Sequence, residues 1–343
     1  MTQSFLDSIN AGLHQALANN QQVVLIGEDL LDPYGGAFKA SRGLSTVYPS
    51  QVITTPISEA GITGIAGGMA LRGLRPVVEI MFGDFLSLAM DQILNHLAKF
   101  AYMYNGQVSV PVVIRTPMGG RRGYGPTHSQ TLEKHFLGIP GFRVIAPFQW
   151  KGESQIGSPG QLLSDIIQTT SQPVLFIENK LQYLLPLLDD NNLVDQDCQD
   201  ISSSYQLENP FYRIKMRGAP EPTVTMATYG YMSHLAIQAQ KELAFEYEIF
   251  CELLVPTQLA PFELAPIMQS VKSTRHLLTV EEGAGSLGWG AEVLAQVASN
   301  LGGNFISAAR LTGAEHPIPA SRQLEEASLP NIKDIVSAVQ KMV

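Results

Sequence analysis

Gln22-Val-Val-Leu-Ile26, closed by Gly27, is short, apolar and rich in β-branched side chains. That pattern reads as a buried strand. Just upstream, Phe5, Ile9, Leu13 and Leu17 recur every four residues, which sets them on one face of a helix. Downstream the strand signal returns in Val77-Val-Glu-Ile-Met-Phe82, Pro111-Val-Val-Ile-Arg115, Arg143-Val-Ile-Ala146 and Val174-Leu-Phe-Ile177. Helical stretches lie between them, from Glu59 to Leu71, Leu86 to Tyr102 and Gly160 to Thr169. Strands alternating with helices predict an α/β fold, with a mostly parallel sheet covered by helices on both faces.

This alternation breaks near Leu187. From Asp189 to Tyr205 the chain turns acidic and polar, with Asp-Asp-Asn-Asn and Ser-Ser-Ser, which reads as an interdomain linker. A second α/β block opens at Thr223-Val-Thr-Met-Ala-Thr228. It continues through a helix from Ser233 to Leu243, a strand at His276-Leu-Leu-Thr-Val280, and helices from Gly288 to Ser299 and Asn331 to Met342. The expected organisation is a domain over 1–186, a linker over 187–219 and a second domain over 220–343. A length of 343 residues suits two or three such cores.

With 45% hydrophobic and 15% charged residues, the composition is that of a globular protein with much buried surface. A formal net charge of −9 argues against a nucleic-acid partner, which calls for a clustered basic footprint. Two cysteines, Cys198 and Cys251, make no disulfide framework and fit a reducing compartment. No apolar run is long enough to span a membrane, and Met1 to Leu13 lacks the pattern of a secretory signal. The expectation is a cytoplasmic enzyme or complex subunit.

Three clusters could carry chemistry. In Thr55-Pro-Ile-Ser-Glu-Ala60, Pro56 ends an extended segment, Ser58 can cap the next helix, and Glu59 falls in its first turn. Glu59 either complements the helix dipole or serves a ligand. The helix it opens carries Gly61, Gly64, Gly67 and Gly68, each costing about 1 kcal/mol against alanine. Such a backbone expects a close neighbour, a ligand or another helix, as at a subunit interface. In Glu79-Ile-Met-Phe-Gly-Asp-Phe85 a strand runs into a turn, and ligands sit beyond the carboxyl ends of strands in open α/β sheets. Phe82 and Phe85 could wall a flat heterocycle, although Phe82 reads better as a core side chain. Asp91 and Asn95, four apart on the next helix, read as interface or capping polars.

The third cluster, Gly119-Gly-Arg-Arg-Gly-Tyr-Gly-Pro-Thr-His-Ser-Gln130, has too much glycine and proline for regular structure and is a loop after a strand. Of the seven histidines, His128 there is the best acid/base candidate; the other reading is a solvent-exposed, idle side chain. Arg121 and Arg122 are an anion site or a solvated basic pair. Several motifs are missing: a phosphate loop, a dinucleotide Gly-x-Gly-x-x-Gly and paired zinc spacings. No Gly-Asp-Gly of the kind that binds magnesium diphosphate in thiamine enzymes occurs either; Gly83-Asp84 runs on into Phe85. No metal site is expected on this chain.

Taken together, Gly27-Glu-Asp, Tyr34-Gly-Gly-Ala-Phe38, Thr55-Pro-Ile-Ser-Glu-Ala60, Gly68-Met-Ala-Leu-Arg-Gly-Leu-Arg-Pro76, Phe82-Gly-Asp-Phe85, Asp91-Gln-Ile-Leu-Asn95 and His128-Ser-Gln130 follow one another in a telling order. So do Thr228-Tyr-Gly230, Gly288-Trp-Gly-Ala-Glu292 and Leu311-Thr-Gly313. The chain resembles, over nearly its whole length, the beta subunits of the decarboxylating component of 2-oxo acid dehydrogenase complexes, of the pyruvate, branched-chain and acetoin type.

The resemblance implies a pyrimidine-binding domain followed by a transketolase C-terminal-type domain, and thiamine diphosphate shared between two chains. A separate alpha subunit would hold magnesium and the diphosphate, in an assembly of two alpha and two beta chains. It makes Glu59 the glutamate that hydrogen-bonds the aminopyrimidine ring and favours its imino tautomer. Phe85 and Ile57 are placed at the cofactor, and His128 is placed for proton transfer and for passing an acyl group to a lipoyl-bearing acyltransferase. The substrate would be a small 2-oxo acid, pyruvate-like. An acetoin-cleaving dehydrogenase is a second reading, since Ala98-Lys-Phe-Ala-Tyr-Met-Tyr104 has that flavour. A split transketolase-like carboligase delivering a two-carbon ketol unit to a carrier protein is a third. Arg121, Arg122 and Tyr124 intrude into a loop that is usually richer in glycine, with Thr127 where an aromatic is common. Glu178-Asn-Lys180 replaces the frequent Glu-Pro-Lys.

Overall fold

A computed structural model describes residues 3–152, 157–202, 209–302 and 307–343. The chain divides into two compact units, Met1–Met118 with His135–Leu187, and Gly119–Lys134 with Leu188–Val343.

In the first unit, α1 (Phe5–Asn19) begins at Ser4, whose hydroxyl accepts from the Asp7 amide while the Asp7 carboxylate accepts from the Ser4 amide, a capping box. Its stripe of Phe5, Ile9, Leu13 and Leu17 is fully buried, as the four-residue spacing predicts. The strands are β1 (Val23–Gly27), β2 (Val52–Thr54), β3 (Arg75–Glu79), β4 (Val113–Met118), β5 (Arg143–Ile145) and β6 (Val174–Asn179). They run parallel in the order β5-β6-β4-β3-β1-β2. Helices α2 (Leu44–Val47), α3 (Glu59–Leu71), α4 (Ala98–Met103) and α5 (Pro159–Thr169) complete the unit. Helices α1 and α5 touch at Gly12 and Gly160, where a Cβ on Gly12 would lie 2.1 Å from the Gly160 carbonyl oxygen. Because β2 joins one side of β1 and β3 the other, strand order reverses at β1. That leaves a crevice at the carboxyl ends of these strands.

The helix expected from Leu86 to Tyr102 is broken into three pieces: a 3-10 segment at Gly83–Ala89, a π-helical turn at Gln92–Leu97, and α4. Gly83 lies against Met118, where a Cβ would sit 2.3 Å from Met118 Cγ. Asp91 and Asn95 are exposed and form a polar chain, Asn95 donating to Asp91 at 2.7 Å and Lys99 to Asn95 at 2.8 Å.

The second unit contains β7 (Gln196–Asp200), β8 (Phe211–Met216), β9 (Val224–Thr228), α6 (Tyr231–Tyr247), β10 (Cys251–Pro256), β11 (Gln258–Ala260), α7 (Ala265–Thr274), β12 (His276–Ala284), α8 (Trp289–Leu301), β13 (Ser307–Gly313), α9 (Arg322–Ser328) and α10 (Ile332–Gln340). Its sheet runs β13-β12-β9-β10-β8-β7. The strands from β13 to β10 are parallel, and β8 and β7 add antiparallel. Residues 187–219, which read as a linker, therefore supply two strands. Strand β7 is polar because it is an edge strand with outward residues in water. The side chain that anchors it, Gln196, is buried and donates to Gln240 at 2.6 Å. Part of the expected linker, 203–208, lies outside the described residues.

A pair of buried carboxyls marks the second unit. Glu133 accepts from the Tyr229 hydroxyl at 2.5 Å, and Glu281 accepts from the Gly290 amide at 3.3 Å. Burial first, and the charge of Glu133 second, push Glu281 from an ordinary 4.5 up to about 7. The folded unit thus keeps a proton that the unfolded chain releases between those values. Stability falls as pH rises through that window, by at most about 1.4 kcal/mol per pH unit, and levels off above it. Glu281→Gln is accordingly expected to raise the calorimetric melting temperature at pH 8 and to leave it nearly unchanged at pH 5. An equal shift at both pH values would refute the assignment.

Candidate functional site

At the carboxyl ends of β1, β2 and β3, sequence order brings two acids together. Strand β1 ends at Gly27, which lies so near β3 that a Cβ there would be 2.6 Å from the Glu79 carbonyl oxygen. Glu28 follows at once and is 5% exposed. Beyond β2, Ser58 caps α3 by accepting from the Gly61 amide at 3.3 Å, and Glu59 is the first helical residue, 6% exposed. The Ser58 amide also donates to the Glu28 carboxylate. Burial, and then the charge of Glu59, raise the Glu28 carboxyl above its ordinary value, with the Ser58 amide pulling the other way.

Both acids keep hydrogen-bonding capacity that the fold does not use. Glu28 Oε1 is buried with no hydrogen-bond partner, and the Glu59 carboxyl makes no side-chain hydrogen bond among the described residues. The positive end of α3 lies at Glu59, and the charge of Glu59 acts on Glu28. The two acids therefore present carboxyl oxygens that remain open to hydrogen bonds. That donor set fits a planar heterocycle with adjacent ring and exocyclic nitrogens, such as an aminopyrimidine.

The other expected cofactor residues lie in the same unit. Ile57 is 82% exposed, two residues before Glu59. Phe85 sits half-buried in the 3-10 segment after β3, its ring edge-on to Phe82 at 5.7 Å. Phe82 is not a core side chain. It is half-buried in a row of rings, 5.5 Å from Phe38, with the Lys180 ammonium 5.2 Å from its centroid. Beneath this wall Arg115 on β4 donates to both oxygens of Glu178, at 2.8 and 2.6 Å, and to Glu79, which also accepts from Ser41. Glu178 and Lys180 keep buried positions although asparagine stands between them.

His128 belongs to the second unit, apart from Glu59, Ile57 and Phe85. Its segment is a loop, as its glycines predict. His128 is half-buried. Its amide donates to the Gly125 carbonyl at 3.3 Å, and its Nδ1 lies 2.9 Å from the Thr127 hydroxyl. A hydroxyl at 127, where an aromatic is common, therefore acts on the imidazole tautomer. One guanidinium N–H of Arg121 donates to the Pro330 carbonyl, its Nε is buried without a hydrogen-bond partner, and the group lies 5.9 Å from the Tyr231 ring. Arg122 lies over Tyr124, 5.7 Å from the centroid. Among the described residues no group of three or more His, Cys, Asp and Glu could hold a metal ion, and no helix is long and apolar enough to cross a membrane.

Glu28 was given no role from sequence. An acid immediately after the glycine that ends a strand was the available signal for it. Thr127 stood out only as a departure from the family pattern, not as a partner of His128.

Comparison with known proteins agrees with this geometry. The family described as transketolase, pyrimidine binding domain, matches residues 2–184, and transketolase, C-terminal domain, matches residues 215–335. The mitochondrial pyruvate dehydrogenase E1 component subunit beta of Bos taurus is 34% identical over 338 residues, covering 98% of this chain and 89% of the relative. Subunit beta-1 of Arabidopsis thaliana is 36% identical over 338 residues, with 98% and 88% covered. Among solved structures, a chain titled split gene transketolase, inactive beta4 tetramer, superposes with a TM-score of 0.70 at 17% identity. It covers 100% of this chain and 98% of that one, a likeness of fold. With both family matches in order and such relatives along 98% of its length, the chain belongs to the thiamine-diphosphate-dependent E1 beta subunits of 2-oxo acid dehydrogenases.

Proposed function

We propose that this chain is the beta half of a cytoplasmic E1 enzyme that decarboxylates a pyruvate-like 2-oxo acid and passes the acyl group to a lipoyl domain. A separate alpha subunit would hold magnesium and the diphosphate, in an assembly of two alpha and two beta chains. The observation that carries the reading is the carboxyl pair of Glu28 and Glu59, buried at the strand ends, with Glu28 Oε1 left without a partner and no side-chain hydrogen bond on Glu59 among the described residues. Thiamine diphosphate, when bound, supplies the electron sink for decarboxylation. Glu59 would hold a proton at the pyrimidine ring nitrogen, with Glu28 beside it, and Phe85 and Ile57 would offer the ring apolar contact and exclude water. His128 would move a proton at the acceptor thiol during acyl transfer.

The partner requirement has its own support. Gly61, Gly64, Ile65 and Gly68 lie on one exposed face of α3. A Cβ on Gly68 would meet nothing within 4 Å, and one on Gly61 would meet only its own cap Ser58, at 2.8 Å. Within this chain the close approach that glycine permits is used at Gly67, where a Cβ would meet Leu97 at 2.8 Å. Exposed Tyr102 and Met103 on α4 add apolar surface. A smooth, apolar, water-facing surface of this kind is suited to cover by another subunit.

Two measurements test the reading. In the enzyme reconstituted with its alpha subunit, Glu59→Gln is expected to cut 2-oxo acid turnover by about 100-fold or more while sizing chromatography shows intact assembly. Near-normal turnover would leave Glu59 a helix-end charge. His128→Ala is expected to slow acylation of a lipoyl domain by about 100-fold or more, and to spare most of the decarboxylation seen with an artificial electron acceptor. Equal loss in both would move His128 to substrate binding. An unmutated enzyme that acylates no lipoyl domain but acts on ketose phosphates would favour the carboligase.

A further inference from the structure

The loop Gly119–Lys134 carries an amide cradle that is already filled, and what fills it is part of this chain. Glu325 on α9, 2% exposed, accepts the Arg121 amide on one carboxylate oxygen at 2.7 Å and the Gly123 amide on the other at 3.0 Å. Glu282 on β12, 5% exposed, accepts the Gly120 amide at 2.7 Å. Arg121 and Gly123 both have left-handed backbone, φ 66° and 68°. Successive amides in such a chain path converge into a concavity that binds anions. Leu329 closes the cradle: a Cβ on Gly120 would lie 2.7 Å from Leu329 Cδ1. Charge-assisted hydrogen bonds shielded from water are stronger than exposed ones.

We propose that Glu325 is the positioning residue of the His128 loop, its two carboxylate oxygens fixing the backbone of residues 121 to 123 and through it the stand of the imidazole. The proposal rests on the role given to His128 above. The link is short. Gly123 leads to Gly125, where an added Cβ would lie 3.3 Å from the Ala320 Cβ, and the Gly125 carbonyl accepts the His128 amide. A second consequence concerns the substrate. Because Glu325 fills the cradle, the carboxylate of a 2-oxo acid finds no amide pocket there. The Arg121 guanidinium gives one N–H to the Pro330 carbonyl.

The test uses the assembled enzyme, with trypsin as probe of the loop, since cleavage after Arg121 and Arg122 needs the cradle to open. Glu325→Gln is nearly isosteric, but the amide keeps one acceptor and turns a donor toward the other backbone N–H. Nicking at these two bonds is expected to accelerate about tenfold or more. Over the same variant, kcat for lipoyl-domain acylation is expected to fall about tenfold or more, with KM for the 2-oxo acid within about twofold. Glu326→Gln is the control. It lies next in the chain but is exposed and pairs with Arg322, so nicking and kcat should stay at wild-type values.

Leu329→Ala uncovers the same hydrogen bonds without touching the carboxylate and should accelerate nicking to a lesser degree. If Glu325→Gln does not assemble, this variant decides alone. Wild-type nicking in the decisive variant overturns the clamp, and accelerated nicking with unchanged kcat overturns its positioning role. Accelerated nicking together with a His128→Ala enzyme that still acylates lipoyl domains keeps the clamp and removes the role given to His128.

Discussion

The buried guanidinium of Arg115 is the constraint on which the first unit depends. It sits on β4 between Glu79 on β3 and Glu178 on β6, with almost no exposure. Removing one partner of a buried ion pair costs about 3–5 kcal/mol, because it strands the other charge. The three strands are therefore pinned at their carboxyl ends as well as along their ladders. Glu79 then meets Gly27 of β1 in register, and that contact places Glu28. The loop from Leu30 to Gly43 is tied to the same network, through Ser41 on Glu79 and through Gly36, whose missing Cβ would lie 2.3 Å from the Glu79 carboxylate. A wall of rings and a pair of acids are thereby tied to a buried network of charges.

Much of this was legible in the sequence, and what was not has physical reasons. The strands of the first unit carry runs of apolar, buried residues such as Val23-Val-Leu-Ile26 and Val174-Leu-Phe-Ile177, and such runs announce themselves. By contrast, β7 was hidden by its position at an edge, where Asp197, Gln199 and Asp200 serve water and only Gln196 is fully buried. Leu86 to Tyr102 kept a helical composition, so its 3-10 and π segments were invisible to periodicity; they follow from packing near Gly83 and Met118.

The site divides the same way. Glu59 was legible because Pro56 and Ser58 fix a helix start, and a helix start fixes its first-turn acid. Glu28 was not, since its meaning lies in proximity to Glu59, which strand order creates and no local pattern records. Phe82 read as core because a phenylalanine at a strand end usually is, yet here the strand delivers it to the crevice rim.

The glycines of α3 and of the His128 loop show one residue type answering two demands. In α3 most of the missing side chains face outward, so the cost of about 1 kcal/mol each is offset by what a second chain can contribute. In the loop the missing side chains face inward, toward Leu329, Glu325 and Ala320, and the cost is offset by hydrogen bonds made within the chain. The same reasoning accounts for the arginine that departs from the usual glycine-rich loop. A side chain at φ 66° is disfavoured, and it persists here because Arg121 recovers the cost through its backbone amide on Glu325 and its guanidinium on Pro330. Of the basic pair, Arg121 gives one guanidinium N–H to Pro330 and Arg122 is laid over a tyrosine, and the loop gains rigidity from the first.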